Sequence, residues 1–381
     1  MKKRIASLFL LILSLSIFQV ANSQETMERK LCQAVDYALN FEYANALTLL
    51  DKLRQENPKD VRPYLFKAVV YIQFLVNCKH VEENRILFFQ NISKAEKIAK
   101  QLARKNEDDW YANFWLGGVY GWTAKYYLDA GDKWKTFINA RKAKGYFEKT
   151  QKLNPDCLDV YYGLGVYHYY AGTLPKLLRF FLPLLNFEGD TKRGIEELNL
   201  AKEKARYSRD FASYELVLIY LDKEEKREDG LRLSLKLWEK YPQNFNFQLL
   251  SAQYYHYLGE DSLARSIIDL LESKIQDEFY AELSDNKRAE CQLWSGLINL
   301  SLNQNEEAQN DFKTALNKCA SDALRSQAHY LFGLSLNEQG RYQEAYQHYL
   351  KSLEHKDYFG SHHKAKEEIK KLRKEKLIGE N

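Results

Sequence analysis

The chain has 381 residues, 56 Lys and Arg against 52 Asp and Glu, and only six prolines and seventeen glycines. Three of the basic residues, Lys2, Lys3 and Arg4, stand at the start, so the rest is nearly neutral and lacks the net basic footprint of a nucleic-acid binder. Aromatic residues reach 14%, with 27 Tyr, which excludes a disordered chain and suits helices stacked through ring-filled interfaces.

The first element is a targeting signal. Met1 to Arg4 is basic, Ile5 to Val20 is apolar with scattered Ser, and Ala21-Asn22-Ser23 ends in small residues. The expectation is a signal peptide over 1–23, cleaved so that Gln24 begins an exported chain, with an uncleaved anchor as the alternative. The apolar core is too short and too broken by Ser to favour a permanent span, and no later stretch is long and apolar enough to cross a bilayer. The destination is then the periplasm or the cell envelope.

From there to residue 359 the chain reads as helix pairs. At 143–165, Ala143 and Phe147 stand four apart, Pro155 follows, and Tyr161, Leu164 and Gly165 open the next unit. Similar spacings recur at Gly296, Ala308 and Phe312, at Gly333, Ala345 and Tyr349, and at Ala252, Gly259, Ala264 and Ile268. A small residue and an Ala twelve apart let two helices approach closely, rings fill the space to the next pair, and proline ends the second helix. The pattern resembles the tetratricopeptide repeat. It predicts an all-α superhelix, or solenoid, of about eight pairs: 27–60, 61–109, 110–157, 158–208, 211–244, 245–278, 289–322 and 326–359. The predicted divisions are an N-terminal part, 24–208, and a more regular C-terminal part, 209–359. A polar capping helix and tail follow over 360–381.

Units two to four depart from the period. Ala68 to Ala95, Gly117 to Ala143 and Gly165 to Gly194 are each more than twice the regular spacing. These long insertions predict either an added hairpin between the two helices or much longer helices. In unit four, Leu174-Pro175 ends the first helix and an apolar run follows, after which Gly189-Asp190 turns the chain and caps a helix starting near Thr191. The residues Gly163, Gly165, Leu174, Pro175, Leu177, Leu178, Gly189, Asp190, Gly194 and Leu198 resemble a segment of the eukaryotic inclusion-body-clearance family of tetratricopeptide proteins, and of bacterial exported repeat proteins. The resemblance implies an association with membranes or lipid and no catalytic residue. The signal departs from that intracellular family, so its cellular role is not carried over.

Two candidate surfaces follow. Inner first-helix positions place Arg62, Tyr111, Phe114, Tyr162 and Tyr169 in an aromatic groove for a protein or peptide, with packing beneath the insertions as the alternative. The run 174–187, through Leu177, Phe180, Phe181 and Leu184, is either a docking patch for a membrane or partner or an apolar hairpin folded into the core. Cys291 and Cys319 lie at adjoining ends of one predicted pair and are a candidate disulfide, with two buried thiols as the alternative; the other cysteines, Cys32, Cys78 and Cys157, leave an odd count. No nucleotide-binding loop, nucleophile elbow or metal motif occurs, so no catalytic residue, metal or cofactor is expected. The functional expectation is a non-catalytic exported scaffold for protein partners. A lipid-associated adaptor using 174–187 is the alternative, and a glycan-binding accessory protein, argued from Tyr abundance, is a weaker one.

Overall fold

The computed structural model describes residues 25–174, 189–357 and 360–378, and those residues are helical throughout their regular structure. Among the described residues, sixteen helices follow one another as eight consecutive pairs. They are α1 (25–39) with α2 (Tyr43–Glu56), α3 (Arg62–Asn77) with α4 (Val81–Lys105), α5 (Trp110–Asp129) with α6 (Lys133–Leu153), and α7 (Val160–Thr173) with α8 (Thr191–Lys204). There follow α9 (Arg209–Leu221) with α10 (Arg227–Lys240), α11 (Phe245–Tyr257) with α12 (Asp261–Gln276), α13 (Asp285–Ser301) with α14 (Asn305–Lys318), and α15 (Asp322–Glu338) with α16 (Tyr342–Glu354). The last, α17 (Ser361–Lys374), packs Ala365, Ile369 and Leu372 into the apolar cluster of the final pairs, as a cap should. The fold is thus all-α and of tetratricopeptide type.

The chain divides into two compact units. The first holds the residues up to Val76 and His80–Leu216; the second holds Asn77–Lys79 and everything from Val217. The division therefore falls inside α9, beyond the boundary expected at 209. Within the second unit, Cys78 makes an isolated antiparallel bridge with Leu283.

Local chemistry explains the helix ends. Asp109, Asp132, Asp190, Asn244, Ser284 and Ser321 each accept backbone N–H groups from the first turn of the helix they precede. In six of the pairs the turn is closed by one residue in the left-handed region: Phe41, His80, Gly131, Gly259, Asn303 and Gly340, with φ between 61° and 81°. The extra length in units two and three goes into the helices themselves. Helices α4, α5 and α6 have 25, 20 and 21 residues, joined within each pair by short turns at 78–80 and 130–132. No hairpin is inserted there. In unit four, α7 stops at Thr173, before Leu174-Pro175, and Asp190 caps α8 through Lys192 and Arg193 at 2.9 and 3.1 Å.

Close approach at small residues holds each pair together. A Cβ on Gly165 would fall 2.9 Å from the Gly194 carbonyl, and one on Gly194 would fall 2.6 Å from the backbone nitrogen of Tyr169. Helices α7 and α8 thus touch backbone to backbone, and neither backbone can give way without moving its helix. We expect Gly194→Ala to lower the free energy of unfolding by about 2 kcal/mol. Gly145→Ala, in an open stretch of α6 where nothing lies within 4 Å of the added carbon, should leave stability unchanged or raise it by up to ~1 kcal/mol. Denaturant titration of the two variants checks both.

Candidate partner-binding surfaces

In the first unit the segment before α9 is fixed by one carboxylate. Asp159 Oδ1 accepts the backbone N–H groups of Tyr207 and Ser208 and the Ser208 hydroxyl, each at 2.8 Å, and Oδ2 accepts the Arg206 N–H at 3.0 Å. An anion is favoured here because these N–H groups open a helix and have no partners within it. Arg206 also pairs with Glu28. From this anchor, Tyr207, Phe211 and Glu215 follow at four-residue intervals and share one stripe.

That stripe lies on the rings of three earlier first helices. The Tyr207 ring is 5.5 Å from Phe66 of α3 and 5.8 Å from Trp115 of α5, centroid to centroid. Phe211 is 5.4 Å from Trp122 and 6.1 Å from Tyr162 of α7. The Tyr170 hydroxyl donates to Glu215 Oε1 at 2.5 Å. Burial pushes the Tyr111, Tyr162 and Tyr170 phenols and the Glu215 carboxyl up, so the strip favours neutral rings.

Three of the five groove residues belong to this strip. Arg62 reaches Asp60 with Nε and Nη2 at 3.0 and 2.6 Å, and its guanidinium carbon lies 6.0 Å from the Tyr111 ring centroid. Burial works against the Arg62 charge, but the hydrogen bonds it donates to Asp60, together with the charge interactions with Asp60, Tyr111 and Tyr207, leave it firmly protonated. Tyr111 packs on Trp115 at 5.8 Å, and Tyr162 meets Phe211. Of the other two, Phe114 is buried between Trp115, 4.6 Å away, and Phe147 of its own pair, 6.2 Å away. Tyr169 has its backbone against Gly194 of α8 and its ring 5.3 Å from Tyr170. The sequence reading missed Phe66, Trp115, Trp122, Tyr207, Phe211 and Glu215. The i, i+4 spacing of Arg62–Phe66, Tyr111–Trp115 and Tyr207–Phe211–Glu215 was the available signal.

In the second unit a different group of rings reaches solvent. Tyr257 is 39% exposed, and Trp294 lies 5.7 Å from it, edge to face. His256 is 6.0 Å from Trp294 and holds Asp261 at 2.6 Å through Nδ1. The Arg227 guanidinium sits 4.8 Å over the Tyr257 ring. Gln253 is buried, and Tyr330 is half-buried 6.1 Å from Tyr349. Farther on, His329 and His348 touch through Nδ1 at 3.1 Å, and burial pushes each down to about 4, so the pair is neutral at neutral pH.

The candidate disulfide is corrected. Cys291 and Cys319 are both buried free thiols, and the Cys319 Sγ lies 3.1 Å from the Ser321 carbonyl, to which it donates. Cys319 belongs to the apolar cluster that includes Ala289 and Leu293 of α13. Cys291 lies two residues from each of these and so occupies the opposite face of that helix. Burial pushes both thiols up, against reactivity.

Leu177, Phe180, Phe181 and Leu184 lie outside the described residues. Leu174, before them, packs against the group formed by Tyr167 and Ala171 with Phe137 and Ala140. Among the described residues no helix is long and apolar enough to cross a membrane, and no group of three or more His, Cys, Asp or Glu is placed to hold a metal ion.

A tetratricopeptide-repeat family profile matches residues 296–357. No curated protein is matched by the sequence. Among solved structures, the APC/C hetero-tetramer Cut9-Hcn1 is similar at a TM-score of 0.56 and 11% identity, covering 89% of this chain and 55% of that one. This chain therefore spans about half the length of that relative. The human IFIT1 dimer with m7Gppp-AAAA is similar at a TM-score of 0.50 and 13% identity, covering 92% of this chain and 86% of that one. At such identities the likeness is one of fold.

Removing the Asp159 anchor tests the strip. Asp159→Ala leaves the 206–208 amides without their acceptor and is expected to cost about 2–3 kcal/mol in denaturant unfolding. Asp159→Asn, which keeps one acceptor oxygen, should cost less.

Proposed function

We propose that this tetratricopeptide-repeat chain is a non-catalytic exported scaffold that binds a protein partner in the periplasm or cell envelope. The tetratricopeptide fold suggests a protein–protein scaffold. The leader-like start, Met1 to Ser23, supports export. The observation that carries the choice of surface is the Tyr257, Trp294, His256 and Arg227 group in the second unit. Trp, Tyr and Arg are the residue types that carry most binding energy at protein interfaces, because each brings a large rigid contact area with a polar tip. In the first unit the equivalent rings are engaged by the chain's own Tyr207, Phe211 and Glu215. Recognition there would have to displace contacts already made, so the second unit is the better site.

The reading is tested on the protein purified from the envelope fraction, where its N-terminus should be Gln24. A partner isolated with it by crosslinking is then measured against Tyr257→Ala and Trp294→Ala. Each variant should weaken binding by about thirtyfold or more, the equivalent of ~2 kcal/mol for an aromatic anchor. Unchanged affinity in both, with helicity intact, contradicts the proposal.

A further inference from the structure

The near-neutral total hides a segregation of charge. Between 94 and 105, helix α4 carries five basic residues and one acid, Glu96; between 133 and 152, helix α6 carries seven and one acid, Glu148. The two helices flank the same residue of α5. The Tyr120 hydroxyl donates to Glu96 Oε1 at 2.7 Å, and Lys142 Nζ lies 5.0 Å from the Tyr120 ring centroid.

The acids of this face are already engaged. Glu96 also holds Lys100 at 2.7 Å, Glu148 holds Lys144 at 3.1 Å, and the neighbouring Asp108 holds Lys149 at 3.3 Å. Lys97, Arg104, Arg141, Lys142 and Lys152 are exposed, and among the described residues no carboxylate lies within ion-pair distance of them. Lys97, Lys100 and Arg104 share one stripe of α4 and border a shallow, open depression. Glu96, paired with Lys100, also borders it, and no aromatic side chain does among the described residues, so the depression itself offers an anion the Lys97 and Arg104 donors without a ring on which a nucleobase could stack.

Helix α6 adds an apolar tip. Trp134 is 69% exposed in its first turn, between Lys133 and Lys135, and stacks on Phe137 at 5.9 Å; Leu128, at the end of α5, is 53% exposed. Lys135 holds Asp132 at 3.1 Å, and Lys133 flanks the ring on the other side. An exposed Trp on the helix that also carries exposed Arg141, Lys142 and Lys152 matches the headgroup layer of an anionic bilayer, where phosphates meet the basic side chains and the ring sits at the apolar boundary.

We propose that the α4–α6 face of the first unit is a docking surface for anionic lipid headgroups and tethers the scaffold to a bilayer. The proposal uses none of the residues of the Tyr257–Trp294 group, so either reading can fail without the other. The test is co-sedimentation of the purified protein with vesicles of phosphatidylcholine containing about a third phosphatidylglycerol, against phosphatidylcholine alone. Binding should be about tenfold or more tighter with the anionic lipid and be released by about 0.5 M salt. A combined Lys97→Glu, Arg104→Glu, Arg141→Glu and Lys142→Glu variant, changed only at exposed positions, should lose that preference while keeping its circular dichroism and its partner affinity. Equal binding to both vesicles, or an unaffected variant, overturns the proposal. So does tighter retention on poly(U) RNA or polyglutamate than on the anionic vesicles, since that assigns the face to another polyanion.

Discussion

One carboxylate decides what the inner face of the first unit can do. Asp159, just before α7, gathers three consecutive backbone N–H groups and a hydroxyl from 206–208. Those groups begin α9, and their fixed position sets the azimuth of that helix. Tyr207, Phe211 and Glu215 then face Phe66, Trp115, Trp122, Tyr162 and Tyr170. Without the anchor, a stripe of rings would have neither a fixed register nor a reason to exclude water. With it, the rings that looked like a peptide groove satisfy one another.

This closure separates two roles that the repeat fold often combines. Many rings of the first unit pack against one another along the strip, while Trp134 and many of its basic residues lie on the exposed sides of α4 and α6. The second unit keeps its regular pairs, with Phe312 beneath Gly296 and Tyr349 beneath Gly333, and leaves Tyr257, Trp294 and Arg227 within reach of solvent. Close packing at residues without side chains makes both arrangements possible, because paired backbones in contact leave the outer faces free to vary.

Much of the architecture was legible from spacing. Helix pairs, caps such as Asp190, the stop before Pro175 and the pairing of Gly165 with Gly194 depend on residues close in sequence, whose chemistry is local. The strip was not legible, because Trp115 and Tyr207 meet only after several helices have stacked, and no period links them. Phe114 lies on α5, which at 20 residues is longer than a regular repeat helix, so its template position no longer names the inner face. The thiols Cys291 and Cys319 lie near adjoining helix ends, as expected, but helical rotation puts them on different faces. Net charge concealed the α4–α6 face because acids elsewhere balance it.

The central claim is that the chain's own 206–215 segment occupies the inner face of the first unit through Asp159. Native-state hydrogen exchange at the Tyr207 and Ser208 amides measures it most directly. The account predicts protection approaching that of global unfolding, because both amides donate to a carboxylate held in place by packed rings. Exchange at the rate of an exposed loop would contradict it.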